Sequence, residues 1–240
     1  MLADRIGALA SRIGLPIEVV GKSDCTLPLK SVEECLKIHF DLIGQPDHVC
    51  RSTFTTALTL LRAQQAPVIV ETGSSAWGTH SSVLLDSYIR TFGGSFHSVD
   101  IRMQPLLELR KQLGGRSRVT CSDSVKFLSR FEFENSNSKL GMLYLDSWDL
   151  DVCNPWPSAF HAMQELIAAT PKISSGTLLL IDDTPRDLSY FQDSNFSEAT
   201  SFYKTFSLVP GKGMLIVEYL NQRDDVELIQ HEYQALYRFL

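Results

Sequence analysis

The stretch Val68-Ile-Val-Glu-Thr-Gly-Ser-Ser-Ala-Trp-Gly78 decides the fold. Val68-Ile-Val70 is a short β-branched apolar run, read as a buried strand. It meets an acidic residue, Glu71, and then a Gly/Ser loop closing at Gly78. Ser81 to Phe92 follows with helical periodicity. Glycines in such a loop permit positive φ and let a ligand approach the backbone. Strand, acid, loop and helix together open a βαβ unit.

The unit repeats downstream. Ser95–Asp100 reads as a strand, Gln104–Leu113 as a helix and Arg118–Cys121 as a strand. A short helix at Ser124–Ser129 precedes a strand, Leu143–Leu145, that ends on Asp146. A helix over Pro157–Ala169 then leads to Thr177–Ile181, a strand ending on Asp182-Asp183. Strands alternating with helices imply right-handed crossovers and a mostly parallel sheet covered on both faces. Near the end, Thr205–Val209 and Met214–Glu218 flank Pro210-Gly-Lys-Gly213, which reads as an antiparallel hairpin. Val226–Leu240 reads as a closing helix. The expected class is α/β: a Rossmann-like, seven-stranded, mostly parallel sheet with a C-terminal antiparallel hairpin and an N-terminal helical extension.

That extension is read over residues 1–65, with the main domain over 66–240. Leu2, Ile6, Leu9 and Ile13 sit at helical spacing. Ser31-Val-Glu-Glu34 resembles a capping box and opens a helix to about Ile43. Asp47–Ala63 is a further helix, and Pro16–Leu29 is a loop or a short strand. The extension serves either as a lid or as a dimer surface, so a homo-oligomer stays open.

Ligands of an open parallel sheet bind beyond the carboxyl ends of its strands. Here each such end carries an acid: Glu71, Asp100, Asp123, Asp146 and the pair Asp182-Asp183. One of them is explained by helix capping; five successive ends point to a ligand. A carboxylate ending the second strand suits both hydroxyls of a ribose. Asp123 with Ser124 suits an adenine beside the third. A dinucleotide fold shares the first two features, but its G-x-G-x-x-G fingerprint is absent.

Val70-Glu-Thr-Gly73 with Gly78, Val99-Asp100, Cys121-Ser-Asp123 and Leu145-Asp146 resembles the cofactor-site motifs of class I S-adenosylmethionine-dependent methyltransferases. The resemblance covers about Pro67 to Leu220. It implies that Glu71, Gly73 and Ser75 surround the methionine part of the cofactor, with Gly78 closing the loop. It further implies that Asp100 holds the ribose, that Asp123 and Ser124 flank the adenine, and that Asp146 ends the cofactor site.

Asp146, Asp182 and Asp183 end adjacent strands, where three carboxylates repel unless protonated, solvated or bridged by a cation. Hard oxygen ligands suit Mg²⁺ or Mn²⁺. Leu178-Leu-Leu-Ile-Asp-Asp183 also resembles the metal-binding strand of the catechol O-methyltransferase group, and macrolide-sugar O-methyltransferases and cephalosporin-hydroxylase-like proteins use comparable carboxylates. This implies metal-assisted O-methylation of a small-molecule or sugar hydroxyl. Two features depart from the catechol group: four residues separate Gly73 from Gly78, where it has three, and Asp149 stands where it has a lysine base. Asp149 and His161 are the two candidate bases. Asp149 also reads as a solvated loop charge, His161 as a packed or surface residue, and His80 as a helix cap. Trp77, Trp148 and Trp156 either stack on the acceptor or pack beneath the loops.

Bulk properties narrow the field. The 240 residues are 44% hydrophobic and 21% charged, enough for one α/β domain with an appendage. A net charge of −6 argues against a nucleic-acid footprint. The five cysteines lack C-x-x-C spacing, so reduced thiols are expected. No membrane association or signal peptide is expected, which points to the cytoplasm. A non-catalytic cofactor-binding scaffold and a nicotinamide-dependent oxidoreductase are the alternatives.

Overall fold

The computed structural model describes residues 17–19, 29–74, 79–134 and 138–240. The expected helix at Leu2–Ile13 lies outside these residues, as do Ser75, Trp77 and Gly78. The described chain begins with β1 (Ile17–Val19), α1 (Val32–Leu42), α2 (Arg51–Leu61) and β2 (Val68–Thr72). Next come α3 (Ser81–Phe92), β3 (Ser95–Asp100), α4 (Met103–Arg110), β4 (Ser117–Cys121) and α5 (Ser124–Arg130). β5 (Leu140–Leu145), α6 (Trp156–Ala169) and β6 (Leu178–Ile181) follow. The chain ends with α7 (Asp193–Phe206), α8 (Met214–Leu220), β7 (Val226–His231) and β8 (Ala235–Phe239).

The strands form one sheet in the order β1-β4-β3-β2-β5-β6-β8-β7. The five central strands β4, β3, β2, β5 and β6 are parallel. β8 runs antiparallel to β6, and β7 antiparallel to β8. The expected seven-stranded unit is therefore present, and β1 adds an antiparallel eighth strand on the β4 edge. The chain winds outward in both directions from the β2–β5 pair. This leaves a crevice at the carboxyl ends of those two strands.

Alternation along β2 shows why the sheet is covered on both faces. Ile69 packs with Leu36, Phe54, Tyr88, Phe96 and Tyr144 on one face. Val68 and Val70 pack with Leu143, Leu145, Leu166 and Ile181 on the other. Truncating such a residue to alanine costs about 2–5 kcal/mol. α1 and α2 share the first of these cores, so the described part of the 1–65 extension packs directly on the sheet. At the start of α1, Ser31 Oγ accepts from the Glu34 N–H at 3.0 Å, as the capping-box reading expects. The Glu34 carboxylate reaches back to Lys30 N at 2.9 Å.

The C-terminal hairpin lies later in the chain than the sequence suggests. Residues 205–209 and 214–218 are not its strands: the first run from the last turn of α7 into the loop after it, and the second lie in α8. The hairpin is β7–β8, inside the stretch read as a closing helix. Short apolar runs such as Met214-Leu-Ile-Val do not distinguish a strand from a buried helix turn. Gly211 and Gly213 form no hairpin turn; they allow close packing against the Asp183 backbone and the Thr184 side chain. A Cβ on Gly211 would stand 2.7 Å from Asp183 O, and one on Gly213 2.5 Å from Thr184 Oγ1.

Candidate active site

Glu71 is the penultimate residue of β2 and is fully enclosed. Its carboxylate accepts from Ser81 Oγ at 2.6 Å, Ser98 Oγ at 2.5 Å and Ser82 Oγ. Burial pushes its pKa up to about 7 against the pull of these hydroxyls. Its oxygens are thus engaged inside the fold. Gly73 then turns the chain at φ +80, and a Cβ there would stand 2.3 Å from Asp146 O. Only glycine meets both conditions. The next amide, Ser74 N–H, donates to Asp100 Oδ2 at 3.0 Å.

Asp100 is buried at the end of β3. Arg102 forks over it, with Nε donating to Oδ1 at 3.0 Å and Nη2 to Oδ2 at 2.8 Å. Asp123 caps α5 by accepting from Lys126 N at 2.8 Å. Beside it, Ser124 Oγ lies 3.0 Å from His161 Nε2. The same nitrogen is 3.4 Å from Glu165 Oε1, to which Ser147 Oγ donates at 2.6 Å. Glu165 raises the pKa of His161 against the effect of burial. Glu165 Oε2 is buried without a partner among the described residues. Gly73, Asp100, Arg102, Asp123, Ser124, Asp146, Asp149, Trp148 and His161 all line one cavity of about 230 Å³. The structure thus brings together the described members of the expected cofactor site, Glu71 alone being turned inward. His80 stands at the N-cap position of α3 but makes no side-chain capping bond. Trp156 packs on Phe160, Phe202 and Phe206.

Asp146, Asp182 and Asp183 also converge, each offering an oxygen within 4.8 Å of the others. Between them lies a group the sequence reading missed. Lys212 Nζ is 2.8 Å from Asp146 Oδ1 and 2.9 Å from Asp183 Oδ2, with its side chain only 4% exposed. Burial alone would lower the lysine pKa, but the three carboxylates outweigh it and raise it, holding the ammonium charged. Burial and neighbouring carboxylates likewise raise the pKa of Asp146 and Asp182. Other oxygens of the cluster are engaged as well. Gln234 Nε2 donates to Asp182 Oδ1 at 2.7 Å, and Tyr233 OH to Asp183 Oδ1 at 2.5 Å. The donor set has the chemistry for a divalent ion, but Lys212 takes the position between Asp146 and Asp183. An ion on those two oxygens does not fit while the ammonium is there. The one available signal was a lysine between two glycines, which also reads as a turn.

A second cleft, of about 600 Å³, borders this cluster at Asp183. Asp149, Asp183, Tyr190, Phe191, Gln192, Asn195 and Tyr233 line it. Asp149 faces both cavities. An apolar cavity of about 500 Å³, lined by Leu166, Ile167, Tyr219 and Phe239, lies at the opposite end of the strands, away from the carboxylates.

The fold has counterparts in solved structures. MycE from the mycinamycin biosynthetic pathway, with Mg and S-adenosylhomocysteine bound, matches with a TM-score of 0.58 at 14% identity. The match covers 85% of this chain and 54% of MycE, so the chain spans about half of that protein's length. The Podospora anserina methyltransferase PaMTH1, bound to S-adenosylhomocysteine, matches with a TM-score of 0.53 at 12% identity, covering 100% of this chain and 95% of its own. The chain has the class I methyltransferase fold. A complex of MycE with Mg, S-adenosylhomocysteine and mycinamycin VI matches with a TM-score of 0.53 at 15% identity, covering 85% and 53%. No family model matches the chain, and no curated protein matches it in sequence. Within this methyltransferase fold, the crevice between β2 and β5 carries the 230 Å³ cavity. No helix among the described residues is long and apolar enough to cross a membrane.

Proposed function

We propose that the chain is an S-adenosylmethionine-dependent O-methyltransferase acting on a hydroxyl of a small polar molecule or saccharide. One observation carries the reading: Asp149 lines both cavities, and Lys212 bridges Asp146, which lines the first, to Asp183, which lines the second. A cofactor cavity and an acceptor cleft meeting at charged residues are what group transfer between two bound molecules needs.

S-adenosylmethionine, when bound, supplies a methyl group on a positively charged sulfur. Asp100 would accept from the ribose hydroxyls once Arg102 swings aside. Gly73 keeps the backbone free of a side chain there, while Ser124, Trp148 and His161 wall the cofactor cavity. In the acceptor cleft, Gln192, Asn195 and Tyr233 offer hydrogen bonds to a polyhydroxyl molecule, and Tyr190 and Phe191 a flat face. Asp149, facing both cavities, takes the hydroxyl proton as the oxygen attacks. Holding both partners at the wall and excluding water supplies much of the rate.

Calorimetry with S-adenosylhomocysteine tests the cofactor, and methyl transfer to a panel of sugars and phenols tests the chemistry. Binding that disappears in Asp100→Ala, with transfer to at least one acceptor, supports the reading. No binding to the unaltered chain sinks it. Binding without transfer favours the scaffold reading, and competition by NAD favours the oxidoreductase.

A further inference from the structure

We propose that Lys212 is the resident cation of the carboxylate centre, holding the position a divalent ion would need, so that the centre works without metal. The inference deepens the methyltransferase reading and rests on it only for the centre's role in methyl transfer.

Geometry carries the assignment. An octahedral divalent ion sits about 2.0–2.1 Å from each ligand oxygen. An ion bridging Asp146 Oδ1 and Asp183 Oδ2 would enter the space of an ammonium 2.8 and 2.9 Å from those same oxygens. The two charges would also repel at contact distance. Lys212 is not a passing surface side chain. Its own N–H donates to Asp183 O at 2.8 Å, and Gly213 N–H donates to Thr184 Oγ1 at 2.9 Å. Backbone and side chain therefore both bind the Asp183–Thr184 segment. The flanking glycines make this approach possible, since a Cβ at either would meet that segment at 2.7 Å or closer. The chain is built to insert a lysine here.

The consequence is positional. Lys212 holds Asp146 at the cofactor cavity and Asp183 at the acceptor cleft in one fixed arrangement. A metal would do this by coordination; the lysine does it by two charge-assisted hydrogen bonds. Lys212 is thus a positioning residue.

Manganese serves as the probe, read by electron paramagnetic resonance on the full chain and on Lys212→Met, which keeps much of the side-chain volume without its charge. The unaltered chain should show no saturable binding at millimolar Mn²⁺. Lys212→Met should bind at least about tenfold more tightly, and adding Asp182→Asn should remove that gain. Saturable binding by the unaltered chain, lost in Asp182→Asn, overturns the proposal. So does a folded Lys212→Met that binds no Mn²⁺. If Lys212→Met fails to fold, the titration of the unaltered chain decides alone: saturation overturns and its absence supports. Calorimetry with S-adenosylhomocysteine on the same sample separates the two claims. Lost cofactor binding beside this manganese pattern would sink the methyltransferase reading and leave the lysine assignment standing.

Discussion

Arg102 grips both oxygens of Asp100, the carboxylate expected to hold the cofactor ribose. On the proposed reading, ribose and guanidinium would compete for the same acceptor atoms. The arginine side chain is 46% exposed though Asp100 is only 4% exposed, so solvent screening holds this two-pronged ion pair to on the order of 1 kcal/mol. The two substitutions should therefore act in opposite directions. Asp100→Ala should weaken S-adenosylhomocysteine binding about 10- to 100-fold, the size of a lost hydrogen bond to a charged group. Arg102→Ala should tighten it by up to about fivefold. Calorimetry reads both, and weaker binding in Arg102→Ala would instead make the arginine a cofactor contact.

Glu71 should give the fold a measurable pH dependence. Its pKa rises from the usual 4.5 to about 7, so the folded state holds a proton that the unfolded state releases. Its contribution is therefore most favourable below about 4.5 and declines as pH rises through about 7. The full difference is on the order of 3 kcal/mol. Glu71→Gln removes the titration. Its melting temperature relative to the unaltered chain should climb between pH 5 and pH 7.5, whereas a constant offset would mean that Glu71 folds ionised.

Breaking the Lys212 pair should cost more than an exposed pair would. The lysine is nearly enclosed, and its removal leaves Asp146 and Asp183 without their cation. Lys212→Ala should lose about 3–5 kcal/mol of stability in denaturant titration. Methyl transfer by the unaltered chain should continue in excess chelator. A chelator-sensitive rate, restored by Mg²⁺, would return the metal to the mechanism.

The βαβ rhythm from Val68 to Ile181 was legible because each buried strand is a compact apolar run and each strand end is acidic. The positions of Asp100, Asp123, Asp146, Asp182 and Asp183 followed directly from that rhythm. The C-terminal third was harder to read because its signals are shared. Met214-Leu-Ile-Val suits strand and helix alike, and Gly211-Lys-Gly213 suits a turn as well as a close backbone approach. Long-range partners left no local mark. Asp146 and Lys212 stand 66 positions apart. Glu71 was visible as a strand-end acid, but its inward turn depends on Ser98, contributed by the neighbouring strand.

Asp149 and His161 entered as rival bases, and their surroundings separate them. Asp149 lines both the proposed cofactor cavity and the proposed acceptor cleft. His161 lines only the cofactor cavity, bonded to Ser124 and close to Glu165, which raises its pKa and favours the charged form that cannot accept a proton. Asp149→Asn should therefore lower kcat about 10²- to 10⁴-fold, the range for losing a general base. Its affinity for S-adenosylhomocysteine should stay within about threefold. His161→Ala should do the reverse, weakening cofactor binding about three- to tenfold as one wall contact is lost. Its kcat at saturating cofactor should barely move. Steady-state kinetics beside calorimetry give the two ratios, and a collapse of kcat in His161→Ala with cofactor affinity intact would exchange the roles.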